Sequence, residues 1–328
     1  MVAKSARRGY APRMDLAPIP APSAPSPVPV VPSWALPRGP VADPTEAAFL
    51  AGAALNSLDN LVHANPAWAG AWRARLALQC AVAAARQAGR AEDERALRDA
   101  WVLRPPGGDP GPGGRLLAAW RRLAERSPGV DTAALQSACA LLGVGWDDRF
   151  ASLPEEIDRQ LAMGRPAPLA AAALVRAVDA AQPGARSLGW WLADQVLALR
   201  LRWPLPVPLL MADAGSLLRA GRGGGRPPDA DGLDVAVCVA VAQGAARACR
   251  LAAEIAPRAA RLEAVVPKLR ANGAGEAVRR LLEDDVVPGT LQTSALSRWA
   301  ARRLFERLVA LGAVRELSGR ASFKLFGL

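Results

Sequence analysis

Histidine and tyrosine are almost absent from this 328-residue sequence, which has one of each, His63 and Tyr10. Histidine is the usual general base and a common metal ligand near neutral pH, so its scarcity argues against catalytic triads and most metal sites. His63 stands in "NLVHANP", at a predicted helix end, where the helix dipole favours a cation. We therefore predict no catalytic residue, no metal and no cofactor, and expect that the protein is not an enzyme.

Cysteine is also sparse, and no CxxC pair occurs. The four cysteines are Cys80, Cys139, Cys238 and Cys249. Their wide spacing predicts buried apolar thiols rather than disulfides or a zinc site. Long apolar runs are missing too, since no stretch of about 18 apolar residues is unbroken. The basic N-terminus leads into prolines rather than into the apolar segment of a signal peptide. We therefore expect a cytoplasmic protein without a secretory signal or a membrane span.

Alanine, leucine and arginine dominate what remains. The chain is 51% hydrophobic but only 5% aromatic, a balance that favours helices over sheets. Its formal net charge of +11 suits a polyanionic partner, either nucleic acid or an anionic membrane surface. The alternative is that the arginines only solvate helix faces.

Changes in composition predict an all-α, multi-helix body followed by a small C-terminal winged helix-turn-helix. Residues 1–43 are expected to be a disordered proline-rich tail, and 44–218 the helical body. The stretch "RAGRGGGRPPDADG" at 219–232 is a predicted flexible linker. Residues 233–328 form long helices that end in the winged-helix module, at about 274–328.

Local signals place the elements of the body. Helices are expected at about 115–126, 131–142, 153–163, 168–181 and 187–202. The glycine-rich stretch at 104–115 is predicted to be a loop. It is not a phosphate-binding loop, because it lacks the GK[ST] ending and no strand precedes it.

The tryptophan- and proline-rich segment at 189–210 permits two interpretations. It is either a core helix that leaves through a stiff extended turn, or a groove for a ligand. Trp190, Leu197 and Leu201 share one apolar stripe, and Asp194 is predicted to lie off it.

Three successive acids, Glu283 to Asp285, end a predicted helix, where negative charge opposes the helix dipole. Arg279 and Arg280 stand four residues before Glu283 and Asp284, so ion pairs between them are expected to offset this cost. An enzyme would need such acids, or Asp194, gathered in a pocket.

The most regular amphipathic pattern lies at 297–311. On a helical wheel, one half is apolar: Ala300, Ala301, Leu304, Phe305, Leu308, Val309 and Leu311. The other half carries four arginines and one tryptophan. Gly312 is predicted to end the helix in a left-handed conformation. "AVREL" and "SFKLFGL" then predict a β-hairpin that turns at residues 318–321.

Helix, short connection, basic helix, glycine and hairpin follow one another in the order typical of a winged helix-turn-helix, whose second helix enters the DNA major groove. The predicted nucleic-acid-binding residues are Arg298, Trp299, Arg302, Arg303, Arg307, Arg320 and Lys324. The hypothesis is a non-enzymatic regulator that binds double-stranded DNA, with the body serving dimerisation or ligand sensing. The alternatives are a helical module that binds a protein partner or a second copy of the chain, and an unrecognised enzyme.

The chain resembles an uncharacterised bacterial family, domain of unknown function 1403, in phrases such as "AAFLAGAALNSLDNLV" and "WWLADQVLALRLRWPLPVPLL". Its end, "LVALGAVRELSGRASFKLFGL", is similar to the winged-helix tail of Fic-domain proteins, which implies a DNA-binding tail over roughly 230–328. The Fic nucleotide-transfer motif is a histidine followed by a loop with glycine and arginine, and "VHANPAWAG" lacks that loop. The resemblance therefore implies no Fic activity.

Overall fold

The computed structural model describes residues 28–105, 107–214, 230–269 and 273–328, which are mostly helical. The helices are α1 (Pro44–Ala64), α2 (Ala69–Gln87), α3 (Glu94–Val102), α4 (Gly111–Glu125), α5 (Thr132–Leu142), α6 (Leu153–Ala162), α7 (Ala167–Ala181), α8 (Arg186–Leu201), α9 (Ala230–Val265), α10 (Ala274–Glu283) and α11 (Arg298–Ala310). The strands are β1 (Val287–Pro288), β2 (Arg315–Glu316) and β3 (Leu325–Gly327). The predicted all-α body is confirmed.

Short polar side chains start several helices. Asp43 begins α1, where its carboxylate accepts hydrogen bonds from the backbone N–H groups of Thr45 (3.2 Å) and Glu46 (3.0 Å). Asp131 caps α5 and Ser297 caps α11 in the same way. These side chains satisfy N–H groups that have no partner within the helix, which fixes where each helix begins.

Helix α4 begins inside the stretch that was predicted to be a loop. It starts at Gly111, whose N–H donates to the carboxylate of Asp109 (3.0 Å). A Cβ on Gly114 would lie 2.4 Å from the side chain of Pro110, and one on Gly113 would lie 2.8 Å from Leu97. At these two positions a side chain would collide with Pro110 or Leu97, so glycine is required by close packing. The prediction of a loop as far as residue 115 is therefore wrong, because the helix already begins at Gly111.

Helix α9 is a core helix. It packs along α1 and α7, and Val237, Ala240 and Val241 are among its buried residues. By length and composition alone, the segment Asp231–Lys268 is long and apolar enough to cross a membrane. Within the structure, however, 78% of its apolar window is buried, as in the core helix of a globular domain.

The predicted linker at 219–232 does not separate two cores. Residues 215–229 lie outside the described residues, and α9 already begins at Ala230. Because α9 packs on helices from the first half of the chain, both halves contribute to one hydrophobic core.

The end of the predicted N-terminal tail packs on the helical body. Val31 and Ala35 are buried against the body, and Trp34 stacks on Phe49 with ring centroids 5.9 Å apart. Apolar contacts therefore hold this part of the chain in place despite its prolines. The first 27 residues lie outside the part that the structure describes.

Residues 274–328, here called the C-terminal module, combine α10 and α11 with a three-stranded antiparallel sheet in the order β1-β3-β2. Val287 pairs with Phe326, and Arg315 pairs with Gly327. The ring of Phe305 on α11 stacks on that of Phe326, with centroids 4.7 Å apart. This contact holds one face of α11 against the sheet.

The end of α11 follows the prediction. Gly312 has φ 65°, and the N–H of Ala313 donates to the carbonyl of Leu308 (3.0 Å). That pairing is the Schellman arrangement, which needs a left-handed residue and so favours glycine. The two strands that follow are shorter than predicted. An eight-residue connection joins them instead of a tight turn, and the carboxylate of Glu316 accepts from the N–H of Ser318 there (2.6 Å).

A buried ion cluster attaches the C-terminal module to the body. The carboxylate of Asp285 accepts from Nε of Arg75 on α2 (2.5 Å) and from Nε of Arg98 on α3 (2.6 Å). Burial raises the pKa of the Asp285 carboxyl, but the two guanidinium groups outweigh burial and hold that pKa below its usual range. Arg75 also donates to the carbonyl oxygen of Leu328 (2.9 Å), so it holds both the start and the end of the sheet.

We expect Asp285→Asn to lower the free energy of unfolding by about 3–5 kcal/mol, because it leaves the buried Arg75 without an ion pair in the described part of the chain and Arg98 with only Glu94. Urea denaturation at pH 7, followed by far-UV circular dichroism, measures this loss.

The matched control is Glu283→Gln, two residues before Asp285 in the chain. This change removes the carboxylate of an exposed ion pair with Arg279 (2.7 Å). Exposed pairs contribute about 0–1 kcal/mol. If Asp285→Asn were no more damaging than this control, the ion cluster would not be what attaches the module.

Candidate nucleic-acid interface

The polar face of α11 is exposed to solvent. Five predicted site residues lie on it: Arg298, Trp299, Arg302, Arg303 and Arg307. The opposite face is buried through Ala301, Leu304, Phe305 and Leu308, as predicted. The sequence pattern and the packing therefore agree on which side of α11 faces outward.

Two apolar residues at the end of α11, one of them just past its last residue, do not belong to its buried face. Val309 and Leu311 are 40% and 44% exposed, although both were placed on the apolar half. At 100° per residue they lie about 70–90° from the middle of the buried stripe. The sheet and α10 cover a narrower stripe than the wheel suggested.

Trp299 is 73% exposed and stands near the centre of the polar face. It therefore does not pack against another described helix, an arrangement that would have covered the arginines. Arg302 pairs with Glu306 (3.0 Å) on the same face. Within the described ranges, Arg298, Arg303 and Arg307 have no ion pair, so the face keeps an excess of positive charge.

Arg320, another of the predicted nucleic-acid-binding residues, is held by the body. Its guanidinium forms an ion pair with Asp99 of α3, and both side chains are only a quarter exposed. The connection between β2 and β3 therefore contacts the body.

Lys324, by contrast with Arg320, is exposed. Sequence reasoning missed Phe323 beside it, which is 63% exposed and has φ 52°, an uncommon value for an aromatic residue.

The three successive acids do not form a pocket. Glu283 pairs with Arg279 as predicted, but Asp284 pairs with Arg121 of α4 (2.7 Å) instead of Arg280. The third acid is the buried centre of the ion cluster. Among the described residues, no group of three or more histidine, cysteine or acidic side chains is placed to hold a metal ion.

Asp194 is fully buried rather than off the apolar stripe. Its carboxylate accepts from the backbone N–H groups of Leu209 (3.0 Å) and Leu210 (3.3 Å). The chain therefore folds back over α8 after its three prolines, which the local pattern did not predict. Burial raises the pKa of Asp194 to about 8, against the opposing effect of the two N–H groups.

Other candidate residues have structural roles. Trp190 and Trp191 are buried, which supports the core-helix interpretation of the tryptophan-rich segment. His63 is exposed in the last turn of α1, 3.4 Å from the carboxylate of Asp59. The four cysteines are buried and free, as expected.

The chain belongs to the family described as "Protein of unknown function (DUF1403)", whose model matches residues 21–328. The resemblance found in the sequence is thereby confirmed over nearly its whole length. A comparison with curated proteins gave no match.

The raised pKa of Asp194 predicts a pH dependence of stability. Between the pKa of the unfolded state, about 3.9, and about 8, the folded state binds a proton that the unfolded state has lost, so stability falls as pH rises. We expect Asp194→Asn to flatten the decline in unfolding free energy between pH 5 and pH 8 by up to about 1.4 kcal/mol per pH unit. Urea titrations at four pH values measure this.

The control is Asp158→Asn, which alters an exposed carboxylate on α6. Its pH profile should overlay that of the wild type. An unchanged profile in Asp194→Asn would show that this carboxyl titrates normally.

Proposed function

We propose that the C-terminal module is a winged-helix variant that binds double-stranded DNA, with α11 in the major groove, and that the protein is a non-enzymatic regulator. The observation that carries this proposal is the exposed face of α11, which has four arginines and one tryptophan but a single carboxylate, Glu306.

The arrangement of the module supports the winged-helix interpretation. Helix α11 lies between β1 and β2 in the chain and packs on β3, in a sheet of order β1-β3-β2. The module departs from the usual helix-turn-helix in one respect, since residues 289–297 contain no helix. In this variant the sheet and α10 support α11, and no helix stands directly before it in residues 289–297.

The chemistry of the exposed face suits a duplex. A helix with its side chains is about 10–12 Å across, close to the about 12 Å width of the major groove. Arginine forks bind phosphate oxygens or the O6 and N7 atoms of guanine. Trp299 stands among them without a second exposed aromatic on α11, whereas single-strand binders stack successive bases on several rings. Double-stranded DNA is therefore the better partner.

The position of Arg320 limits what the wing contributes. The wing of this module is the connection between β2 and β3. Because Arg320 pairs with Asp99, we assign a contact from the wing to the DNA backbone to Lys324. Most of the affinity is then expected from α11. The free thiols of all four cysteines fit the reducing cytoplasm in which a DNA-binding protein would act.

The first test is fluorescence anisotropy on a 30-base-pair duplex across a salt series. Each phosphate neutralised contributes about −0.9 to the slope of log K against log salt concentration. We expect the double variant Arg302→Ala/Arg303→Ala to bind more weakly and to flatten this slope by about two.

The matched control is Arg149→Ala/Arg159→Ala, which removes the same charge from exposed arginines before and on α6. It should keep the wild-type slope. Equal slopes in both double variants, or no binding at low salt, would refute the DNA hypothesis and favour the helical interaction module.

A second test concerns Trp299. Because its ring is largely exposed, Trp299→Ala should leave the unfolding midpoint unchanged. If the ring contacts a sugar or a thymine methyl group, DNA affinity should fall about tenfold, the equivalent of about 1.4 kcal/mol. Phe49→Ala, which removes another exposed ring, serves as the control and should not change affinity. Wild-type affinity in Trp299→Ala would exclude the ring from the interface.

A further inference from the structure

A cleft in the body is lined by residues far in the chain from the predicted nucleic-acid-binding residues, and two of them, Trp191 and Gln195, belong to the tryptophan- and proline-rich segment. It is bounded by α4, α5, α8 and the loop between α4 and α5, and its volume is about 460 Å³. Small-molecule sites commonly have volumes of about 300–1,000 Å³. The cleft is therefore large enough for a small organic ligand but not for a polymer.

One wall of the cleft is apolar and rigid. Trp191 is 5% exposed and lines the wall with that small part of its side chain. Nε1 of its indole donates to the carbonyl of Ala119 (3.2 Å), which fixes the ring plane. Val130, Ala138 and Leu141 continue the apolar lining. Such a wall favours a flat, apolar ligand body.

Gln195 supplies a buried polar group at the same cleft. It is 3% exposed, and its Oε1 accepts from the N–H of Gly129 (3.3 Å). Its Nε2 donates no hydrogen bond to any residue in the described ranges. An acceptor oxygen of a ligand in the cleft would accept a hydrogen bond from this group in place of water.

Two arginines give the cleft positive charge. Arg122 and Arg126 lie one turn apart at the end of α4, and Arg122 donates to Oγ of Ser137. Neither forms an ion pair within the part of the chain that the structure describes, whereas the preceding Arg121 pairs with Asp284. The one lining carboxylate, Asp131, is already engaged as the cap of α5.

We propose that this cleft binds a small aromatic carboxylate. The ring lies along Trp191, the carboxylate meets Arg122 and Arg126, and the amide of Gln195 donates to an oxygen of the ligand. This site is independent of the DNA-binding proposal, since none of its residues belongs to the C-terminal module.

The test is ¹⁹F NMR of the full-length protein with three probes: 6-fluoro-2-naphthoate, 5-fluoroindole-3-acetate and the neutral 5-fluoroindole-3-acetamide. We expect saturable line broadening of at least one acid, and at least tenfold weaker binding of the amide than of its acid. Arg122→Ala/Arg126→Ala should weaken binding of the acid at least tenfold. Gln195→Met, which preserves the side-chain volume, should weaken it severalfold.

Arg149→Ala/Arg159→Ala removes the same charge elsewhere and should bind the acids as the wild type does. Because Arg122 and Arg126 are exposed, their double variant should keep the wild-type melting temperature, which separates lost binding from lost folding. Three results would overturn the proposal: no saturable binding of either acid at millimolar concentration, equal binding of the acetamide, or undiminished binding to Arg122→Ala/Arg126→Ala.

Discussion

The orientation of the C-terminal module depends on one buried carboxylate. Asp285 lies between Arg75 and Arg98, and Arg75 reaches on to the carbonyl oxygen of the last residue, Leu328. Helices α2 and α3 thereby hold both ends of a sheet whose strands are only two or three residues long. A sheet this short is marginal without tertiary support. Because α11 packs on that sheet, the ion cluster also helps to fix the position of α11 relative to the body.

The arginines of this chain differ in burial and in ion pairing, and the net charge of +11 does not distinguish them. Some are buried partners of acids, as in the ion cluster. Others form exposed pairs that contribute little to stability. A third group has no ion pair within the described residues, and its members are spread along the chain. Three of them lie on α11 and two beside the cleft. Helix α4 connects the two regions, since Arg121 pairs with the module while the next residue, Arg122, lines the cleft.

Sequence reasoning succeeded where a feature depends on neighbouring residues. The buried stripe of α11 and its end at Gly312 both follow from the pattern of residues close together in the chain. It failed where distant segments meet. The docking of Val31 and Ala35, the burial of Asp194 beneath a returning segment and the pairing of Arg320 with Asp99 each need the positions of several elements at once.

The amino-acid sequence by itself determined the helices, the amphipathic face of α11 and the family of the chain. Periodicity and capping are properties of short windows, so they survive without knowledge of the fold. Only the tertiary structure decided which arginines are neutralised. Arg75 and Asp285 are 210 residues apart in the chain, and Arg75 and Leu328 are 253 apart. A charged side chain has the same local pattern whether or not a distant acid meets it, because ion pairing depends on separation in space and on burial rather than on sequence spacing.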